Sequence, residues 1–194
     1  MLLAPLLLLV GFVVHPPEPY NGAQMLEVLA NDAARWNVAH ILFTLSMVLS
    51  IPATLGLMDL LERRGGARFG LIGGGLVLVG VVFLTLYIGI DLVMSVIASI
   101  PVEQHARMEP AMQALIDFNG PLPVVFVGLN LGLFVLAAGL ISTRVVPRWK
   151  SVAIEVAAVV SVGGLFNNPV GAIGAAVLLV GLGFIGLRVL KPVQ

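Results

Sequence analysis

The chain has no cysteine, which excludes disulfides, thiolate metal sites and iron–sulfur clusters. Lysine occurs only at Lys150 and Lys191, neither in the middle of an apolar run, so a retinal-type Schiff base is not expected. Charged residues make up 10% of the chain, against about 25% in a soluble domain, too few to cover a water-facing surface. The net charge is zero, so there is no basic footprint for nucleic acid. No H-E-x-x-H or H-x-x-x-H spacing occurs. The glycine run 73–75 lies inside an apolar stretch with no following Lys-Ser/Thr, which excludes a phosphate loop.

What remains is apolar: 59% of the 194 residues are hydrophobic. Several runs of about 18 residues or more carry almost no charge, the pattern of membrane-spanning helices. They are apolar all round, without the alternation that a membrane β-barrel requires. The expected fold is all-α: one polytopic helical bundle over residues 1–194, with six transmembrane helices at about 1–14, 36–61, 69–93, 121–142, 147–166 and 170–190. The first span is short for a bilayer, so either the chain starts upstream or the helix ends early at His15-Pro16-Pro17.

Basic residues alternate with acidic ones along these spans. Arg63, Arg64 and Arg68, then Arg144, Arg148 and Lys150, then Arg188 and Lys191 mark one side. The other two loops hold Arg35 and Arg107 against Glu18, Glu27, Asp32, Glu103, Glu109 and Asp117. The positive-inside rule then puts both termini in the cytoplasm and the acidic loops outside, in a cytoplasmic (inner) membrane. Two outer segments carry helical apolar spacing and are expected as short amphipathic helices on the outer face. One opens with Asn21 as N-cap, with Met25, Leu29 and Ala33 on its apolar side. The other has Pro110 at its start, Gly120 past its end, and Met112, Leu115 and Ile116 inward.

Polar residues in the spans concentrate in the outer half. Asp91 lies 22 residues past Phe69, a rise of roughly 33 Å, which sets it near the outer boundary, facing the bundle near His40. Tyr87 and Ser95 share its helix face. Pro52 is the expected kink in the second span. Ligand-binding candidates are His40, Asp91, Tyr87, Asn130 and Asn167. Three chemistries compete for them. His15, His40 and Asp91 offer nitrogen and oxygen donors for a divalent metal. His15 and His40, both from outer ends of spans, could serve as axial ligands of a haem if they face each other at one depth. Asp91 with His40 is a protonatable pair suited to a polar ligand or a proton-linked path. Small residues, including Gly128-x-x-x-Gly132 and Gly171-x-x-x-Ala175, predict close helix packing within one chain rather than a dimer seam.

The stretches "GFVVHPPEP" and "WNVAHILFTLSMVLSIPATLGLMDLLERRGG" resemble those of a loose group of small polytopic bacterial membrane proteins. In that group an apolar first span ends in His-Pro and the next opens with Trp and Ala-His. The resemblance covers roughly residues 10 to 65. It implies that His15, Trp36 and His40 form one recurring outer-face motif, and it supplies no activity. The leading functional expectation is a non-catalytic membrane protein, an accessory subunit or a lipid-binding helical module. Its partners would be membrane lipid, other membrane subunits or further copies of itself. The alternatives are a small-solute transporter or channel, and a haem- or metal-binding membrane protein.

Overall fold

The computed structural model describes residues 1–118, 122–164 and 167–189. It is all helical: α1 (Leu3–Val14), α2 (Gly22–Glu62), α3 (Ala67–Ala98), a 3-10 turn (Val102–Gln104), α4 (His105–Ile116), α5 (Leu122–Ser142), α6 (Arg148–Gly164) and α7 (Asn168–Val189). Pro121, Phe166 and Leu190, the expected limits of three spans, and Gly120 and Lys191 lie outside the described residues. Among the described residues, α2, α3 and α5 are long and apolar enough to cross a membrane. α1, with 12 residues, is not.

Helix ends follow local chemistry. α1 stops because His15 precedes Pro16, and the proline ring disfavours helical backbone in the residue before it; His15 has ψ 128°. The Asn21 side chain accepts hydrogen bonds from the Ala23 and Gln24 amides, capping α2. Gly65, at φ +78°, makes the left-handed turn between α2 and α3.

The outer segments depart from expectation in two ways. The one after Asn21 is not a separate helix. It is the start of the 41-residue α2, because no Gly or Pro lies between Ala23 and Trp36 to stop propagation. The break in that helix is a bend at Asp32 (φ −121°, ψ 22°), not at Pro52, where the backbone stays helical. The second outer helix, α4, begins at His105 and carries Pro110 inside it. His105 itself is half-buried, its Nε2 donating to the Ile100 carbonyl at 3.0 Å.

Apart from α4, the helices pack in sequence order, α1–α2–α3–α5–α6–α7, and α7 returns to α1, closing a six-membered ring. Glycines set the tightest contact, between α3 and α5. A Cβ on Gly128 would lie 2.6 Å from Gly80 Cα, and one on Gly73 2.8 Å from Leu136 N. Gly171 meets the ring of Phe12 in the same way, closing α7 on α1. The small-residue stripes are thus occupied within the chain. One core, including Leu57, Leu61, Val77, Val81, Leu136 and Leu140, fills the end of the ring near the Arg63–Arg64 turn. A second, built from Met25, Leu29, Trp36, Met94 and Met112, holds α4 and the start of α2 over the opposite end. There Gln113 ties the two segments, accepting from Gly22 N at 2.8 Å and donating to Asp117 at 3.1 Å.

Candidate functional site

The capped end of the ring encloses a chamber of about 330 Å³. His15 enters it from the end of α1, His40 from α2, and Tyr87 and Asp91 from α3. One turn of helix separates Trp36 from His40 and Tyr87 from Asp91, so each pair shares a face. The rings of His15, Trp36 and His40 pack against one another in tilted arrangements, with centroid separations of 4.8 Å for His15–Trp36, 4.4 Å for Trp36–His40 and 5.0 Å for His15–His40. Trp36 is fully buried, and its Nε1 donates to the Asp91 carbonyl at 2.9 Å, fixing α2 against α3.

His40 and Asp91 form the centre of the site. His40 is 2% exposed and Asp91 7%. His40 Nδ1 lies 2.8 Å from the Trp36 carbonyl, and its Nε2 3.3 Å from Asp91 Oδ2. A carbonyl only accepts, so Nδ1 carries a hydrogen. The Nε2–Oδ2 contact then needs a second proton, on the imidazole or on the carboxyl, since two lone pairs would otherwise face each other. The pair therefore holds one shared proton and is neutral overall. The second carboxyl oxygen, Asp91 Oδ1, is buried and has no hydrogen-bond partner among the described residues, an uncompensated cost for a buried acceptor.

Two groups that sequence spacing did not single out complete the chamber. Glu18, carried by the proline-flanked turn after α1, stands at its mouth, exposed on its outer side and crowded by protein on the inner side. That enclosure, with the neighbouring Asp91 carboxylate, raises its carboxyl to about 7. Asn168, at the start of α7, donates to the Pro16 carbonyl at 3.1 Å and lies 3.2 Å from His15 Nδ1. His15 Nδ1 sits 2.7 Å from that same carbonyl, so it too carries its hydrogen there and leaves Nε2 as an acceptor. Burial first, and then the positive charge of His40, lowers His15 to about 4, which keeps it neutral at physiological pH.

The expected candidates divide. His15, His40, Tyr87 and Asp91 meet in the chamber. Asn130 lies instead on the α5 wall, half-buried, where it lines a neighbouring cavity, its amide donating to the Phe126 carbonyl beside a π-helical turn at Val127–Leu131. Asn167 is exposed, and its side chain accepts from Val170 N to start α7. His15 and His40 lie against each other, tilted by 57°, which leaves no slot for a macrocycle between them. Among the described residues, no three His, Asp or Glu side chains gather as a metal-holding group.

The chamber is not isolated. Outward it opens to a wider vestibule of about 580 Å³, reached past His15, Glu18 and Asn168 and flanked by Arg35. Inward it adjoins a second cavity of about 130 Å³ along the ring axis, and Leu8, Phe12, Met47 and Leu84 line both. That inner cavity is mostly apolar, walled by residues such as Leu57, Val77, Val81 and Leu182, with Ser46, Ser50, Thr54 and Asn130 also on its lining. The arrangement offers hydrogen-bonding groups at one end and a dry slot at the other. Comparison with known protein families, curated proteins and solved structures gives no match, so the function of this site rests on its geometry.

Proposed function

We propose that this chain is a non-catalytic, lipid-binding membrane protein that holds an amphiphilic ligand inside its helix ring. The head group occupies the polar chamber and the tail occupies the apolar cavity below. The single observation carrying this is the adjacency of the two cavities, which share Leu8, Phe12, Met47 and Leu84 as a common wall. Ligand sites are concave and mostly apolar, with a few placed polar groups, and this one orders those two components along one axis.

The membrane setting is part of the proposal. It rests on the three long apolar helices and on large apolar side chains exposed around their outer faces, among them Ile41, Val48, Leu71 and Leu86. Contiguous exposed apolar surface of this kind needs lipid or a partner. With the alternation of basic and acidic loops, it supports six spans, both termini in the cytoplasm, and the acidic, chambered end facing outward from a bacterial inner membrane.

Native mass spectrometry of the protein, extracted from its own membranes in mild detergent, tests the reading. The expected result is an added mass in the range of a single amphiphile, lost in Leu84→Trp, which fills the junction between the cavities. A bare chain, or a retained mass indifferent to Leu84→Trp, overturns it. Proton-linked transport is the second reading, and the shared proton of His40 and Asp91 favours it. It requires solute flux in proteoliposomes that Asp91→Asn abolishes.

A further inference from the structure

We propose that the chamber takes the ammonium head of an amine-bearing amphiphile, seated on Asp91 Oδ1, in exchange for the proton that His40 and Asp91 share. This rests on the amphiphile reading above and names its head group.

Charge and acceptors point this way. Asp91, Glu18 and Asp117 line the chamber, and among the described residues no lysine or arginine does. Arg35 stands outside, in the vestibule, where it is within 3.5 Å of Asp32 and donates to the Val14 carbonyl. Oδ1 is an acceptor on a buried side chain and lacks a donor. The His15 Nε2 lone pair adds a second acceptor, because its Nδ1 hydrogen is already used on Pro16. The faces of Phe12, Phe43 and Tyr87 complete the lining, and aromatic faces attract cations. An anionic head would meet carboxylates without a counter-charge. A neutral hydroxyl would satisfy Oδ1 and leave the acidic lining unused.

The exchange conserves charge. Before binding, His40, Asp91 and their shared proton are neutral together. An ammonium group brings one positive charge to Oδ1 and donates an N–H to it. The shared proton leaves through the mouth to water, so Asp91 becomes a carboxylate and His40 a neutral imidazole, its Nδ1 hydrogen still on the Trp36 carbonyl; a second N–H of the ammonium, directed between Oδ2 and Nε2, supplies the hydrogen that keeps those two lone pairs from facing each other. Binding one cation thus releases one proton, and affinity rises with pH by up to about tenfold per unit while the pair holds its proton. The titratable groups facing Asp91 are His15, Glu18 and Tyr20 from the α1–α2 connection, His40 from α2, Tyr87 on its own helix and Asp117 at the end of α4. α5 and α7 contribute Leu122 and Asn168, which do not titrate. Glu18 loses its proton near neutrality, which adds to the same trend.

The test uses the full chain in a neutral maltoside detergent. Dodecylamine, dodecanol and dodecyl phosphate are titrated by ligand-dependent thermal stabilisation between pH 5.5 and 7.5, with lysophosphatidylethanolamine as a lipid-borne amine. Dodecylamine is expected to bind at least tenfold tighter than dodecanol at pH 7.5, and more weakly as pH falls. Asp91→Asn erases that preference and leaves dodecanol binding in place. Glu18→Gln, on an exposed side chain that no fold contact depends on, reduces the preference several-fold, and Glu62→Gln at the opposite end leaves it unchanged. Either amine binding with this pH slope supports the assignment, and their order shows whether the amine comes free or on a phospholipid. Equal affinity for dodecanol and dodecylamine, a flat pH profile, or preference for the phosphate overturns the ammonium head while the amphiphile reading stands. Failure of every probe to bind overturns both.

Discussion

Removing one member of the His40–Asp91 pair should cost far more than removing both. His40→Leu leaves a buried carboxyl with neither oxygen partnered, and breaking a buried pair in this way costs roughly 3–5 kcal/mol. Asp91→Leu leaves only the neutral Nε2 unsatisfied, a penalty of about 1–3 kcal/mol. The double variant replaces both by apolar groups in a site already lined by Leu8, Phe12 and Met47, and such replacements are often close to neutral. The cycle should therefore show a coupling of at least about 2 kcal/mol, well above the scatter expected of independent sites. Asp91→Asn should be the mildest single change. Its amide donates to Nε2 while His40 keeps Nδ1–H on the Trp36 carbonyl, and the Trp36 Nε1 bond goes to the Asp91 backbone, so it survives. Chemical unfolding in mixed micelles, followed by circular dichroism, gives all four values. Additive effects of the two leucine changes would refute the pairing. An asparagine variant as unstable as the leucine one would refute the proton placement.

Two further outcomes follow from the same geometry. Gly128→Ala places a methyl against backbone atoms of Gly80 and Leu76 that cannot rotate away, so α3 and α5 must part at a cost of about 1–3 kcal/mol; Gly75→Ala meets nothing within 4 Å and should be neutral or slightly stabilising, and equal melting temperatures for the two would remove the close-approach argument. His15 has its folded pKa lowered from 6.5 to about 4, so the unfolded chain binds more protons between those values and stability falls as pH drops through that window, by on the order of 3 kcal/mol in total; the slope of unfolding free energy between pH 6.5 and 4 should be shallower in His15→Gln than in the parent, and an unchanged slope would mean that His15 is not held neutral.

Helical spacing carried the central pair. Tyr87 and Asp91 on one face, and Trp36 and His40 on another, are consequences of 3.6 residues per turn, and depth along each span put the two faces level. Depth is a single coordinate, however. Asn130 sits in the outer half of its helix, yet which wall it joins depends on the order of helices around the ring, which no periodicity encodes. Glu18 escaped for a related reason: the turn "HPPEPY" has no repeating pattern, and only its folded path carries the carboxyl over the chamber. Between Asn167 and Asn168, one residue of helix phase decides which amide reaches His15 and Pro16. The continuity of the first outer segment with α2 was legible in principle, since nothing between Ala23 and Trp36 breaks a helix. The charge of Asp32 and Arg35 drew a boundary there that the backbone marks only with a bend.

The sequential ring has a consequence for biogenesis. Every neighbouring pair but one is consecutive along the chain once α4 is set aside, so each helix can dock on its predecessor as the chain is made. The exception is the seam between α7 and α1, whose partners are separated along the chain by all the other helices of the ring. Phe12 against Gly171, and Asn168 against Pro16, are the stitches of that seam. Until they form, the His40–Asp91 pair and the cavity beside it lie open along one flank. The compartment is therefore complete only once α7 has docked on α1, and the proposed ligand can be enclosed sideways during closure as readily as it can enter afterwards from above.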